Sequence, residues 1–192
     1  RCVCWIRNTV HDALAGHAIL KEKLPEDSLI LFHARFALGD RLYIEDAVLK
    51  AFGKTSTESV RRGKVLIATQ VVEQSLDLDF DLLISDLAPM DLLIQRAGRL
   101  HRHTRDEKGN LLTEGPDRRE LPCMIIHGPY PEESADSNWF KSFFPKAAFV
   151  YPSHGCLWLT TKLLAEKKLL KMPDDARNLI EAAFSESTEI IP

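Results

Sequence analysis

Short apolar runs alternate with longer stretches of helical periodicity along most of this chain. In one such stretch, residues 40–52, the side chains of Ile44, Val48, Ala51 and Phe52 share one helix face. Strands that alternate with helices join by crossover connections, so they form a parallel sheet with helices on both faces. We therefore predict an α/β fold. The predicted strands are Cys2–Ile6, Leu29–His33, Lys64–Thr69, Leu82–Asp86 and Cys123–Ile126.

The character of the sequence changes after Gly128. Residues 129–152 are rich in proline, serine and aromatic side chains, which is typical of an irregular linker. We predict one α/β lobe over residues 1–128, followed by this linker over 129–152. A helical extension is predicted over residues 153–192, packing on the lobe or leading to a further domain. Within the lobe, the charged segment Thr104–Asn110 is predicted to be an exposed, mobile loop.

Charge and cysteine content restrict the environment and the partners. The 192-residue chain has a net charge of -3, so any contact with nucleic acid must come from local patches. Its apolar runs are too short to cross a membrane. The four cysteines include no Cys-x-x-Cys pair, which favours a reduced, cytoplasmic protein over a zinc or disulfide protein. Because the chain opens directly on a predicted core strand without an initiator methionine, we expect it to be a piece of a larger protein.

Two arginines follow a glutamine and a glycine at the spacing Gln-x-x-Gly-Arg-x-x-Arg, formed by Gln95, Gly98, Arg99 and Arg102. The helical pattern predicts that Gln95, Arg99 and Arg102 lie on one face of a helix. Two neighbouring guanidinium groups repel each other unless an anion lies between them, and their planar donors match phosphate oxygens in pairs. Gly98 leaves room beside them for a ligand or another domain. The alternative is a solvated face whose arginines pair with nearby acids.

Polar side chains follow the predicted strands at their carboxyl ends. Ligands of parallel sheets bind beyond those ends, so these side chains are candidate binding residues. The alternative for each of them is that it caps the next helix. The candidates are Asn8, Thr9, His33, Arg35, Thr69, Gln70, Glu73, Gln74, Ser75 and Asp77.

Two further motifs carry no predicted site. Gly53-Lys54-Thr55 lacks the first glycine of a P-loop and follows a helix instead of a strand, so we predict a helix end there. His11 and Asp12 lie at a predicted helix start without partner histidines, so we predict helix-terminus chemistry and no metal site.

Two segments resemble motifs of superfamily 2 helicases. Ala68–Asp77 resembles motif V, and Gln95–Arg102 resembles motif VI. Ala68–Asp81, taken together with Gln95–His103, is similar to one narrower family, the CRISPR-associated helicase–nuclease of type I interference systems. The final His-Arg-His of that segment favours subtype I-E.

The resemblance implies that the chain is the second RecA-like lobe of a single-stranded DNA translocase in antiviral defence. ATP and magnesium are then held mainly by a first lobe, which the chain lacks together with the nuclease domain, so the chain alone is expected to be inactive. The implied partners are single-stranded DNA, the first lobe and the nuclease domain of the same protein, and an RNA-guided surveillance complex. The alternatives are a lobe of another superfamily 2 DNA or RNA helicase and a non-catalytic module with a basic patch.

The resemblance also implies a role for each candidate residue. Arg99 and Arg102 match arginine fingers, which stabilise the charge of the γ-phosphate during its transfer. Asp77 matches the aspartate that holds the ribose, and Gln95 and Gly98 belong to the same nucleotide-binding set. The residues implied to contact DNA are Asn8, Thr9, His33, Arg35, Thr69 and Gln70.

Overall fold

A parallel sheet lies at the centre of the fold in the computed structural model, which describes residues 1–73 and 76–184. Its strands are β1 (Val3–Ile6), β2 (Leu29–Phe32), β3 (Val65–Ala68), β4 (Leu82–Asp86) and β5 (Cys123–His127). The five strands are ordered β2-β3-β1-β4-β5. β1 pairs in parallel with β3 and β4, and β2 pairs in parallel with β3. The predicted α/β fold with a parallel sheet is confirmed.

The central strands are held together by apolar side chains that lie side by side. Cys4 of β1 pairs with Leu66 of β3 and with Leu83 of β4, and all three residues are fully buried. Burying a leucine side chain contributes about 1.5–3 kcal/mol relative to leaving it in water. A continuous apolar run is therefore the expected sequence for each strand, because both faces of a parallel sheet are covered.

The helices are α1 (Val10–Lys21), α2 (Leu38–Phe52), α3 (Glu58–Arg61), α4 (Met90–Ala97), α5 (Trp139–Phe143), α6 (His154–Glu166) and α7 (Ala176–Ala183). The start of α1 and the end of α2 are formed by residues that suit these positions. Thr9 caps α1, since its Oγ1 accepts a hydrogen bond from the Asp12 amide at 3.1 Å. The Gly53 amide closes α2 by donating to the Leu49 carbonyl, which confirms the predicted helix end. Over the described residues, no helix is both long and apolar enough to span a bilayer.

The described residues group into two compact units. The first unit consists of Arg1–Asp86 and Arg96–Ile125, and the second consists of Leu87–Gln95 and the described residues from Ile126 onward. The boundaries drawn from the sequence at residues 128 and 152 remain a prediction. Residues 185–192 of the predicted helical extension lie outside the described residues.

Within the second unit, the segment predicted to be an irregular linker contains regular structure. α5 and a 3₁₀ turn at Ala147–Phe149 both lie within residues 129–152. Phe140 and Phe144 are buried with their ring centroids 5.5 Å apart. The structure differs from the prediction here because these aromatic side chains bury enough apolar surface to order a segment that also contains several prolines.

In the first unit, three buried arginines surround two aspartates. We call Arg61, Arg105, Arg119, Asp79 and Asp81 the arginine–aspartate cluster. Arg61 donates to Asp79 at 3.2 Å and to Asp81 at 3.0 Å, and Arg119 donates to Asp81 at 2.8 Å. Arg105 is fully buried and also donates to Asp79. The prediction of an exposed loop over Thr104–Asn110 was therefore wrong for Arg105.

Candidate functional site

The predicted arginine helix ends earlier than its sequence pattern indicates. α4 stops at Ala97, and Arg99 lies in the turn that follows. The Arg99 carbonyl accepts a hydrogen bond from the Phe80 amide at 2.9 Å, and the His101 amide donates to the Phe80 carbonyl at 3.1 Å. These main-chain bonds replace the next helical turn. Gln95, Arg99 and Arg102 therefore do not share one helix face, and that prediction was wrong.

Arg99 is held by the loop that follows β3. Its Nη2 donates to the Glu73 carbonyl at 2.8 Å, and its Nη1 donates to the Leu76 carbonyl. Partial burial, followed by the charge of Arg102, lowers the pKa of Arg99. The two segments that resemble helicase motifs V and VI are thus in direct contact, although they are distant in sequence.

Arg102 is paired with the aspartate predicted to hold a ribose. Its Nε donates to Asp77 Oδ1 at 2.6 Å, and the side chains are 43% and 48% exposed. His103 Nε2 lies 3.0 Å from the same oxygen. Burial by itself raises the pKa of Asp77, but the hydrogen bond from Arg102 and the charge of His103 bring the pKa below its ordinary value. The result is a group in which the half-exposed Asp77 carboxylate faces the half-exposed Arg102 guanidinium and the more buried His103 imidazole.

Gln95 and Gly98 are both exposed, Gln95 within α4 and Gly98 in the turn beyond it. The glycine is not in the left-handed region of backbone space. The nucleotide-binding role of Gln95 and Gly98 stays a prediction.

The sequence reasoning missed Arg96, which is fully buried beside these residues. Its Nε donates to Glu73 Oε1 at 2.7 Å, and its Nη1 donates to Ser85 Oγ at 2.8 Å. Its Nη1 also donates to the Asp86 carbonyl at 3.0 Å and to Asn8 Oδ1 at 3.4 Å. We call Asn8, Glu73, Ser85, Asp86 and Arg96 the Arg96 cluster. The available signal was its helical spacing from apolar Leu93, which places Arg96 on an inward face.

The residues after β1 are fixed inside the first unit. The main-chain amide of Asn8 donates to Asp86 Oδ2 at 3.2 Å, and Arg7 Nε donates to the same oxygen at 2.8 Å. The main-chain carbonyl of Asn8 accepts a hydrogen bond from Gln70 Nε2 at 2.9 Å. Asn8 is only 2% exposed, and Thr9 uses its hydroxyl group as the cap of α1. Asn8, Thr9 and Gln70 are predicted DNA contacts, and each of them also takes part in a hydrogen bond within the first unit.

The residues after β2 and β3 differ strongly in exposure. His33 is buried and stacked on Phe36, with ring centroids 4.1 Å apart, and burial lowers its pKa. Thr69 is also buried, and its amide donates to the Phe32 carbonyl at 3.2 Å. Arg35 is exposed. Gln74 and Ser75 lie outside the described residues.

No three His, Cys, Asp or Glu side chains in the described ranges 1–73 and 76–184 are arranged to hold a metal ion. The donors that are exposed near Asp77 are guanidinium groups, which suit phosphate oxygens.

Comparison with known proteins assigns the family. The family model for the C-terminal part of the CRISPR-associated nuclease/helicase Cas3 matches residues 1–105. The chain belongs to the Cas3 family. The resemblance inferred from the two helicase-like motifs is confirmed, and so is the RecA-like class of the lobe.

Curated Cas3 relatives match nearly the whole chain. The CRISPR-associated endonuclease/helicase Cas3 of Escherichia coli K12 is 36% identical over 188 residues, which cover 96% of this chain and 19% of the relative. The Cas3 of Streptococcus thermophilus is 35% identical over 185 residues, covering 96% of this chain and 18% of the relative. The chain thus spans less than a quarter of the length of these Cas3 proteins.

Solved Cas3 structures have the same fold. The crystal structure of T. fusca Cas3 is 35% identical with a TM-score of 0.78, covering 99% of this chain and 21% of that chain. T. fusca Cas3 was also solved with AMPPNP, ADP and ATP, and the TM-scores are 0.75, 0.77 and 0.76. A pre-nicking CRISPR RNA-guided surveillance complex contains a chain with 33% identity and a TM-score of 0.71, which covers 98% of this chain and 22% of that one.

Proposed function

We propose that this chain is the second RecA-like lobe of an ATP-dependent, single-stranded DNA translocase of the Cas3 family. In this proposal a first lobe and a nuclease domain belong to the same protein, and an RNA-guided surveillance complex recruits it to foreign DNA. The names of the Cas3 relatives as nuclease/helicase support the activity. The related structures with adenine nucleotides support ATP as the cofactor, and the related surveillance complex supports the recruiting partner.

The observation that carries the proposal is the contact between the two arginines and the loop after β3. Arg102 lies against Asp77, and Arg99 bonds to the carbonyls of Glu73 and Leu76. One half-exposed site therefore combines a carboxylate that can hold a ribose with guanidinium groups that can hold phosphate.

In the proposed mechanism, Arg99 and Arg102 stabilise charge that develops on a phosphate held by the first lobe. ATP supplies the phosphoryl group whose transfer to water drives translocation. Magnesium is assigned mainly to the first lobe, as the resemblance to superfamily 2 helicases implies. Because arginine fingers act only when the lobes are close, hydrolysis is coupled to lobe closure.

Contacts with DNA are assigned to the carboxyl ends of the strands. Arg35 is exposed, and we assign it a direct contact with a backbone phosphate. The buried Asn8 and Thr69 can contribute only through their main chain or after a local shift. Such contacts hold the phosphate backbone and read no base sequence.

The proposal is tested by Arg102→Ala in a full-length protein that contains this chain and a P-loop lobe. ATP turnover with single-stranded DNA should fall by about 10³-fold or more, the lower range for an arginine finger. Binding of a fluorescent ATP analogue should change by less than about fivefold, since an exposed ion pair contributes at most about 1 kcal/mol.

The matched control is Arg118→Ala, which removes an exposed arginine outside the site and should leave turnover unchanged. This chain on its own should hydrolyse no ATP, because it lacks the proposed partner lobe. Full turnover in Arg102→Ala, or loss of nucleotide binding itself, would contradict the finger role. Stimulation of the parent protein by RNA instead of DNA would favour another superfamily 2 helicase.

A further inference from the structure

Arg96 connects three segments of the first unit through a single buried guanidinium group. It bonds to Glu73 in the loop after β3, to Ser85 and Asp86 at the end of β4, and to Asn8 after β1. Neither Arg96 nor Glu73 is solvated, with side chains 0% and 8% exposed. A planar fork with five donors can hold several acceptors at once, which an ammonium group cannot do in the same geometry.

The Arg96 cluster touches both predicted sites. On one side, the Glu73 carboxylate accepts from Arg96 while the Glu73 carbonyl accepts from Arg99 at 2.8 Å. On the other side, the side-chain oxygen of Asn8 accepts a hydrogen bond from Arg96, and its main-chain carbonyl accepts one from Gln70. A short path of hydrogen bonds therefore runs from two predicted DNA contacts to a predicted arginine finger.

The centre of the path is stiff because Arg96 and Asn8 are buried. A buried donor or acceptor that loses its partner destabilises the fold because no water replaces the lost bond, and a charged group destabilises it more. When Asn8 shifts together with Gln70, which bonds to it, Arg96 therefore has to move with Asn8 or take new partners. In either case the position of Glu73 changes, and with it the carbonyl that holds Arg99.

We propose that Arg96 is a positioning residue that transmits DNA binding at Asn8 and Gln70 to the placement of Arg99. This inference rests on the proposed function, because it assumes hydrolysis that DNA stimulates. Arg96 touches neither nucleotide nor DNA in this role. It acts through Glu73 and Asn8, so its loss should affect the coupling between the two sites more than either site alone.

The test is Arg96→Lys in the full-length protein, measured as the ratio of kcat with and without single-stranded DNA. Lysine keeps the charge and can still reach Glu73, but it loses the fork that also holds Ser85 and Asp86. We expect the ratio to fall by about 2- to 30-fold, the range of known coupling mutations. The KM for ATP and the kcat without DNA should stay within about twofold, a change worth less than about 0.5 kcal/mol.

The matched control is Arg61→Lys in the arginine–aspartate cluster. Arg61 is 1% exposed and bonds to Asp79 and Asp81, so its replacement should cost comparable stability in thermal unfolding. It should leave the DNA stimulation ratio unchanged. If the DNA stimulation ratio falls equally in Arg61→Lys and Arg96→Lys, the role of Arg96 is purely structural and the proposal is overturned.

Glu73→Gln keeps the inference testable if Arg96→Lys does not fold. Glutamine preserves the size and one acceptor oxygen but removes the charge that faces Arg96, so the ratio should again fall. An unchanged ratio in a folded Glu73→Gln protein overturns the inference while leaving the proposed function intact. A parent protein that hydrolyses ATP without any response to DNA overturns the proposed function instead.

Discussion

Asp79 provides the sharpest test of how the first unit is stabilised. It is fully buried, and the guanidinium groups of Arg61, Arg105 and Arg119 all donate to its carboxylate. Asp79→Ala leaves three buried cations with Asp81 as their main remaining carboxylate, together with Asp117, which also bonds to Arg119. The change therefore creates uncompensated buried positive charge as well as a small cavity.

The magnitude follows from the burial of these groups. Removing one partner of a buried ion pair costs about 3–5 kcal/mol, because the other charge stays out of water. For a domain of this size, 1 kcal/mol lowers Tm by about 2–4 °C, so the expected loss is about 6–20 °C. Asp79→Asn should cost less, since its amide oxygen still accepts one of the hydrogen bonds.

The assay is thermal and urea unfolding of the purified chain, followed by circular dichroism. Asp174→Ala, which removes an exposed aspartate of the second unit, is the control and should shift Tm by no more than about 1–2 °C, as surface substitutions usually do. If Asp79→Ala is no less stable than this control, the three arginines do not depend on Asp79 and the charge argument fails.

Two further predictions concern the pH dependence of unfolding and the reactivity of the cysteines in the first unit. Burial by itself raises the pKa of Asp81, but the charge of Arg61 and the hydrogen bond from the Cys2 amide lower it from 3.8 to about 2. Because the folded pKa is depressed, this stabilisation of about 2 kcal/mol is complete above about pH 5 and is lost as the pH falls towards 2, and urea unfolding of Asp81→Asn should lack this pH dependence. Burial raises the pKa of Cys2 to about 11, whereas Cys123 is exposed, so iodoacetamide at pH 8 should label Cys123 in the folded chain and Cys2 only after unfolding. Mass spectrometry that finds Cys2 labelled first would contradict the buried position of β1.

The sheet could be predicted from the sequence because each strand contains a short apolar run, and the central strands β1, β3 and β4 contribute buried residues to the core. The observed strands Leu82–Asp86 and Leu29–Phe32 agree with their predicted positions to within one residue. The two helicase-like motifs could be assigned for a different reason. Their residue spacing is specific enough to indicate a family without any knowledge of the side-chain geometry.

The buried ion pairs could not be predicted from the sequence. Arg105 lies in a polar, glycine-containing segment, and such composition normally indicates exposure. Its carboxylate partner Asp79 lies 26 residues earlier in the chain, so no local pattern reveals the pairing. The helix face predicted for Arg99 and Arg102 failed in a similar way, because the main-chain bonds to Phe80 that end the helix come from a distant segment.

The contacts of the two predicted fingers show that they are not equivalent. Arg102 is held by one half-exposed ion pair with Asp77, which contributes about 0–1 kcal/mol, so a phosphate can displace it at little cost. Arg99 makes two charge-assisted bonds to main-chain carbonyls, each worth about 1.5–3 kcal/mol, and these must be broken or moved before it can turn to a nucleotide. We therefore expect a phosphate to recruit Arg102 before Arg99. Release of Arg99 requires movement of the loop after β3, and Arg96 holds that loop through Glu73.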